Sequence, residues 1–248
     1  MSSPTTSAVS SLTEQNIAHW NALFARGPRW SKYPPEDLVG LIAWAFPDSR
    51  QRRDLSALEV GCGPGPNLWF LAREGFRVAG IDGSAIAIES AHERLRSEGL
   101  ASSYQETDLK IGDFAALPWD DCSFDVVIDI QAISHNAAPV IGSAIAEINR
   151  VLKPGGWFFA RMFGPKTTGI STGVLFEKGT TTSAELGAMV GSGVVHAFEE
   201  EEVTKLLALF RHVTLDWVHR SVDQKCDVFE WVIRTRSHKL VPITGSYQ

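Results

Sequence analysis

Cysteine is scarce in this chain. Cys62, Cys122 and Cys226 lie far apart, and no CxxC pair occurs. That spacing excludes a disulfide framework and a Cys/His zinc site. Basic charge is not in excess either. Lys and Arg total 23 against 29 Asp and Glu, for a formal net charge of −6 over 248 residues. A broad electrostatic grip on nucleic acid is therefore not expected. The dense basic cluster of Arg50, Arg52 and Arg53 reads as a solvated loop. No apolar run is long enough to span a bilayer. The opening MSSPTTSAVSS lacks the basic-then-apolar order of a secretory leader. The expectation is a cytoplasmic protein with neither a nucleic-acid nor a membrane partner. Its composition, 44% apolar and 21% charged, is enough to build a core.

The pattern along the chain divides it into five parts. Residues 1–11 are Ser/Thr-rich and read as a disordered start. Residues 12–54 read as a helical cap: Leu12, Ile17, Trp20, Leu23 and Phe24 keep helical spacing. A break at GPRWSKYPPEDL follows, then a second helix whose first turn holds Glu36 and Asp37. Residues 55–163 alternate short apolar runs with helical segments, which means parallel βαβ units and an open α/β sheet with helices on both faces. The helix over PVIGSAIAEINRVLK is expected to close at Pro154-Gly155-Gly156. Residues 164–198 begin with thirty Gly- and Thr-rich residues lacking a clear period, expected as a functional loop, a lid or a flexible insertion on the substrate side. Residues 199–240 read as a terminal helix and a two-strand hairpin at the sheet edge.

The stretch LEVGCGPGPN, residues 58–67, carries the most chemistry. Gly61, Gly63 and Gly65 sit where the first strand ends and the first helix begins. Ligands of open α/β sheets bind at the carboxyl ends of the strands, and glycines let backbone N–H groups approach them closely. Pro66 suits the first helical position, where its missing N–H costs nothing. Asp82 ends the second strand, 21 residues after Gly61. At that spacing an acid can accept both hydroxyls of a ribose. Turn and acid together read as a nucleoside site. The spacing G-x-G-x-G departs from the dinucleotide fingerprint, whose third glycine position holds Pro66 here. That argues against NAD.

LEVGCGPG, the strand ending in Asp82, GDFAALPWDDCSFDVVI and INRVLKPGGWFF occur in this order. The run resembles the successive motifs of the class I S-adenosylmethionine-dependent methyltransferases, over about residues 55–163. The resemblance implies a doubly wound, Rossmann-like sheet of seven strands, mostly parallel with an antiparallel terminal strand. It also implies S-adenosyl-L-methionine as cofactor. Glu59, Gly61, Gly63 and Gly65 would line its methionine and ribose portion, and Asp82 would hold the ribose. Asp113 would meet the adenine amino group, Phe114 would pack on the ring, and Ile130 and Gln131 would lie near the sulfonium. From the residues alone, a turn or cap residue is the lesser alternative for Asp113, and a core residue the equal alternative for Phe114. Asp129, inside an apolar strand, reads as a partly buried, hydrogen-bonded acid.

A sulfonium methyl is already activated, so orientation and exclusion of water supply most of the rate. A base is needed only where the nucleophile holds its proton. His135, in AISHN, is the candidate base, with a backbone-bonded loop histidine as the competing reading. Trp30 and Tyr33 are candidate lid residues over the cofactor. His196 is a candidate cap or substrate contact. No metal site is expected. The expected activity is methyl transfer to an oxygen or nitrogen of a small-molecule acceptor. The rivals are an NAD(P)-dependent oxidoreductase and a non-enzymatic nucleoside-binding protein. The sequence does not choose between monomer and homodimer.

Overall fold

The computed structural model describes residues 4–27, 31–100 and 107–239. The first helix, α1, spans Thr6–Phe24. It starts six residues earlier than the apolar periodicity suggests, within the part expected to be disordered. The Thr5 side chain accepts a hydrogen bond from the Ala8 N–H and caps the extra turn. Helix α2, Glu36–Ala45, follows Pro35 and buries Leu38, Leu41 and Ile42. Glu36 and Asp37 occupy its first turn, the favoured end of the helix dipole for acids.

The βαβ units then run as read: β1 (Ser56–Val60), α3 (Pro66–Arg73), β2 (Arg77–Asp82), α4 (Ala85–Ser97), β3 (Thr107–Ile111), β4 (Phe124–Ile130), α5 (Ala138–Val151) and β5 (Leu152–Phe163). Helix α5 ends two residues before the expected stop. Pro154-Gly155-Gly156 belongs to β5, not to a helix cap. Gly155 has φ +72° and the β4–β5 register shifts here, so the strand absorbs the proline and glycines as an irregularity.

The chain continues with β6 (Val174–Glu177), β7 (Thr180–Thr182), β8 (Val194–His196), α6 (Glu200–Leu206), β9 (Phe210–Val222) and β10 (Cys226–Ser237). The main sheet has the order β3-β2-β1-β4-β5-β10-β9. Strand β10 runs antiparallel to both β5 and β9. The strand order reverses between β1 and β4, which opens a crevice at their carboxyl ends. Alternation within each strand separates two cores. Phe158 and its neighbour Phe159 are both fully buried but on opposite faces. Phe158 joins Leu58, Val127, Ile141 and Ile145 beneath α5. Phe159 joins Ala57, Ile128, Leu68 and Leu41 beneath α2 and α3. Burying a side chain of this size contributes about 1.5–3 kcal/mol.

Residues 164–198 are not a flexible loop. They form a second antiparallel sheet, β6-β7-β8, over a small core of Ile170, Ala184, Met189 and Val195 that reaches Phe163 and Val228. The glycines there mark close backbone crossings. A Cβ on Gly169 would lie 2.0 Å from the Leu186 carbonyl oxygen, and one on Gly187 would lie 2.0 Å from that of Thr168. Composition alone does not distinguish such a crossing from a flexible linker.

Candidate active site

The turn between β1 and α3 folds around its glycines. Gly61, Gly63 and Gly65 all have positive φ, and Gly65 is the left-handed cap from which Pro66 starts α3. Gly61 approaches the turn after β4 so closely that a Cβ would fall 2.1 Å from the Ala132 Cβ. Asp82 secures the turn. Its Oδ2 accepts from the Gly63 N–H at 2.9 Å and its Oδ1 from the Ser84 N–H at 2.8 Å. Ser84 in turn donates from Oγ to Asn21 Oδ1 at 2.6 Å, which draws α1 over the same crevice.

A cleft of about 1040 Å³ opens here. Gly61, Gly63, Asp82, Asp113 and Phe114 line one wall, with Glu59 at its base. Ile130, Gln131 and His135 line the end of β4 and the turn after it. Helix α1 presents Thr13, Asn16, Ile17, Trp20 and Phe24 to the cleft, a helical face from i to i+11. Tyr33 sits at the rim, 59% exposed, with its ring edge-on to Trp69 at 5.7 Å. Gly65 does not line the cleft; it faces Ala91 of α4. Trp30 lies outside the described residues.

Individual side chains are tuned by burial. Glu59 is buried and accepts from Asn67 Nδ2 at 2.6 Å, while its Oε2 has no hydrogen-bond partner among the described residues. Desolvation raises its pKa well above the usual carboxylate range, and Asp129 and Asp82 raise it further. Asp113 accepts from the Ala115 N–H at 2.8 Å and also lines the cleft, so the turn role and the cleft position coexist. Phe114 likewise packs against the core beneath α5 while facing Gly61. Gln131 adopts φ +69°, sparsely populated for a non-glycine residue. Its side-chain amide donates to Glu230.

His135 is buried, with Nδ1 at 2.7 Å from the Val194 carbonyl oxygen. That partner assigns the proton to Nδ1 and leaves Nε2 as the free lone pair. Burial pushes the pKa down to about 4. The ring meets Trp20 edge-on at 4.8 Å. The backbone-bonded reading therefore describes the geometry, and the ring also borders the cleft as a neutral imidazole.

Asp129 is wholly buried, not partly buried as its position in an apolar strand suggests, and accepts from the Ile133 N–H at 3.0 Å. Desolvation raises its pKa from 3.8 to about 7. A raised acid stabilises the fold fully below its unfolded pKa and loses that contribution as pH rises through the folded value. The shift corresponds to about 4 kcal/mol. Between pH 4 and 7 the wild-type urea midpoint is expected to decline relative to that of Asp129→Asn, with the gap levelling off above pH 7. Parallel profiles would remove this account. His135 titrates with the opposite sign in both proteins and cancels in the difference.

The far wall departs from expectation. Among the described residues, none of 164–198 lines the cleft. The insertion instead supports the site from behind, through the Val194 carbonyl on His135 and the Gly191 carbonyl on His19. His196 is fully buried between Thr180 and Glu202 and takes no part. The wall is made by the first turns of α2, by Arg161 of β5, and by Asp216, Arg220 and Arg234 of β9 and β10. Arg161 and Glu230 were legible only as single charges inside apolar strand runs, ARMF and VFEWV.

Among the described residues, no helix is long and apolar enough to cross a membrane, and no group of His, Cys, Asp or Glu could hold a metal ion.

Residues 57–156 match a family described as methyltransferase domain. Methyltransferase GfsG of Streptomyces halstedii is 37% identical over 111 residues, covering 43% of this chain and 38% of that protein. Squalene methyltransferase 2 of Botryococcus braunii is 36% identical over 110 residues, covering 44% of this chain and 28% of that protein. The matched stretch thus spans well under half of these relatives' length. The fold is shared with Burkholderia thailandensis 1,6-didemethyltoxoflavin-N1-methyltransferase, solved with 1,6-didemethyltoxoflavin and S-adenosylhomocysteine bound. That likeness has a TM-score of 0.62 at 16% identity and covers 96% of this chain and 94% of the other. Residues 57–156 thus carry a match to a methyltransferase domain, on a fold shared with that methyltransferase structure.

Proposed function

We propose that this protein transfers a methyl group from S-adenosylmethionine to an oxygen or nitrogen of a small polar molecule. The observation that carries the proposal is the cleft itself. The glycine turn, pinned by Asp82, forms only one part of it, and the cavity continues to a charged wall on α2, β5, β9 and β10. Small-molecule sites run from roughly 300 to 1,000 Å³, so about 1040 Å³ has room for a donor and an acceptor together.

The residues present suit the donor. Glu59 Oε2, buried at the base of the cleft without a partner, can accept from an ammonium group. The bare backbone at Gly61 and Gly63 permits close approach, and Asp82 is placed to accept from ribose hydroxyls. Asp113 and Phe114 would meet the adenine, and Ile130, Gln131 and Tyr33 the methionine end. When bound, the donor supplies a methyl already activated by positive sulfur. The chain's own work is to orient the acceptor and to exclude water, which Ile17, Trp20 and Phe24 do from α1. His135 Nε2 is the candidate proton acceptor. With a pKa near 4 it is a weak base, suited to a proton that becomes acidic only as the new bond forms.

Squalene methyltransferase 2 is named for another skeleton, but a long hydrocarbon would offer nothing to Asp37 Oδ2 and Arg161 Nε, which are buried along this wall without hydrogen-bond partners among the described residues. An oxygen or nitrogen acceptor agrees better with it. Calorimetric titration tests the reading: S-adenosylmethionine and S-adenosylhomocysteine should bind, and NADH should not. Binding of NADH alone would replace the proposal with the oxidoreductase. Once an acceptor is found, an unchanged kcat in His135→Ala would end the base role.

A further inference from the structure

The least explained feature of the cleft is an ionic network built around a carboxylate with no exposure at all. Glu230, on β10, is 0% exposed. It accepts from Gln131 Nε2 with one oxygen and from Arg161 Nη2 with the other, and the Arg220 guanidinium stands 3.8 Å away. A buried carboxylate persists only when paired and hydrogen-bonded, and this one joins two side chains that line the cleft, one from β5 and one from the turn after β4.

Arg161 is held by Glu230 along one edge only. Its Nη1 lies 3.7 Å from Asp37 Oδ1, an ion pair too long for a hydrogen bond. Arg161 Nε and Asp37 Oδ2 are both buried, and neither has a hydrogen-bond partner among the described residues. Buried polar atoms without partners in a native fold call for an explanation. Both residues line the cleft, and each holds a buried polar atom without a hydrogen-bond partner among the described residues.

The charges decide what such a site can take. Arg161 and Arg220 face Glu230 and Asp37, and Arg234 is paired with Asp216, so the cations and anions cancel. Glu36 at the mouth adds a negative charge. A carboxylate or phosphate brought here would lose its hydration without finding a free cation among the described residues of this wall. An uncharged group offering one acceptor to Arg161 and one donor to Asp37 would satisfy both.

Building on the methyltransferase reading, we infer that Asp37 and Arg161 anchor the methyl acceptor, and that the acceptor is uncharged and carries a hydrogen-bond donor beside a hydrogen-bond acceptor, as in an amide or a hydroxy-ketone. Glu230 is the positioning residue: it holds Arg161 on the acceptor side and Gln131 at the end of β4 in one register.

Three probes of equal shape test this. Benzamide, benzoate and benzamidine are titrated into full-length protein saturated with S-adenosylhomocysteine, near neutral pH. Benzamide should bind about tenfold more tightly than either ion. Asp37→Asn should weaken benzamide about fivefold and leave S-adenosylhomocysteine affinity within about twofold. Arg161→Lys keeps a cation for Glu230 but loses the planar fork, so it should weaken benzamide as well. If that variant fails to fold, Asp37→Asn decides. Tighter binding of benzoate or benzamidine, no binding of benzamide, or benzamide binding indifferent to Asp37→Asn would overturn the inference. A fall in S-adenosylhomocysteine affinity in Asp37→Asn would assign the pair to the cofactor instead. Failure of the wild type to bind S-adenosylhomocysteine would sink the methyltransferase reading itself.

Discussion

Asp82→Ala is expected to lower the affinity for S-adenosylhomocysteine by about a hundredfold or more. Two losses combine. The variant removes the carboxylate that would accept the ribose hydroxyls, and hydrogen bonds to a charged group are worth about 1.5–3 kcal/mol each. It also releases the Gly63 and Ser84 N–H groups, whose bonds to Asp82 shape the glycine turn and the start of α4. About 2.7 kcal/mol corresponds to a hundredfold change in Kd, which one ribose contact plus partial loosening of the turn already reaches. Asp82→Asn keeps the shape and one acceptor oxygen, so it should fall between the two. Calorimetric titration of all three proteins gives the answer, and an alanine variant within about twofold of wild type would contradict the assignment. Acidification should act in the same direction. Burial raises the Asp82 pKa, so the carboxylate is lost earlier on the way down than an exposed one would be.

Gly61→Ala is expected to destabilise the protein by about 3 kcal/mol. A left-handed conformation costs an alanine about 1–2 kcal/mol, and Gly61 stands at φ +63°. Its new Cβ would also lie 2.1 Å from the Ala132 Cβ, a contact that forces backbone to move. Overpacking of that kind costs about 1–3 kcal/mol. At the scale of this chain the combined loss lowers Tm by roughly 6–12 °C. The backbone that must yield joins Gln131 to His135, so binding of S-adenosylhomocysteine should fail together with stability. Ala132→Gly in the same chain removes the clash but not the φ penalty, and should restore part of the loss. A Tm in Gly61→Ala within about 2 °C of wild type would show that the turn relaxes freely.

Particular residues show how far local pattern carries. VVID in β4 and LEV in β1 read as buried parallel strands because continuous apolar runs bounded by turns have no other use at that length. Pro66 after Gly65 marks the start of α3, since only the first helical turn tolerates a missing N–H. In residues 164–198 the same kind of reasoning goes astray. Glycine at a crossing and glycine in a flexible linker look alike in one dimension, and the partner that makes the difference, Leu186 for Gly169 or Thr168 for Gly187, is invisible locally. His135 shows the limit for chemistry. Its place after β4 is readable, but its low pKa comes from burial, beside Trp20 and Phe163, and its ring is oriented by a carbonyl 59 residues away that acts in the opposite direction on that pKa.

By itself the sequence determined the alternation of strands and helices, the glycine turn at the end of β1 and the acid at the end of β2. Each depends on neighbours within one turn or one strand, where sterics and periodicity act directly. Only the tertiary structure decided what faces that turn. Arg161 and Glu230 are 69 residues apart, and Asp37 stands far from both in the chain. They meet because β10 inserts antiparallel between β5 and β9 and α2 packs over that face. The physical reason is range: a strand's period is written in its own residues, whereas the partner of a buried charge is set by the order of the sheet.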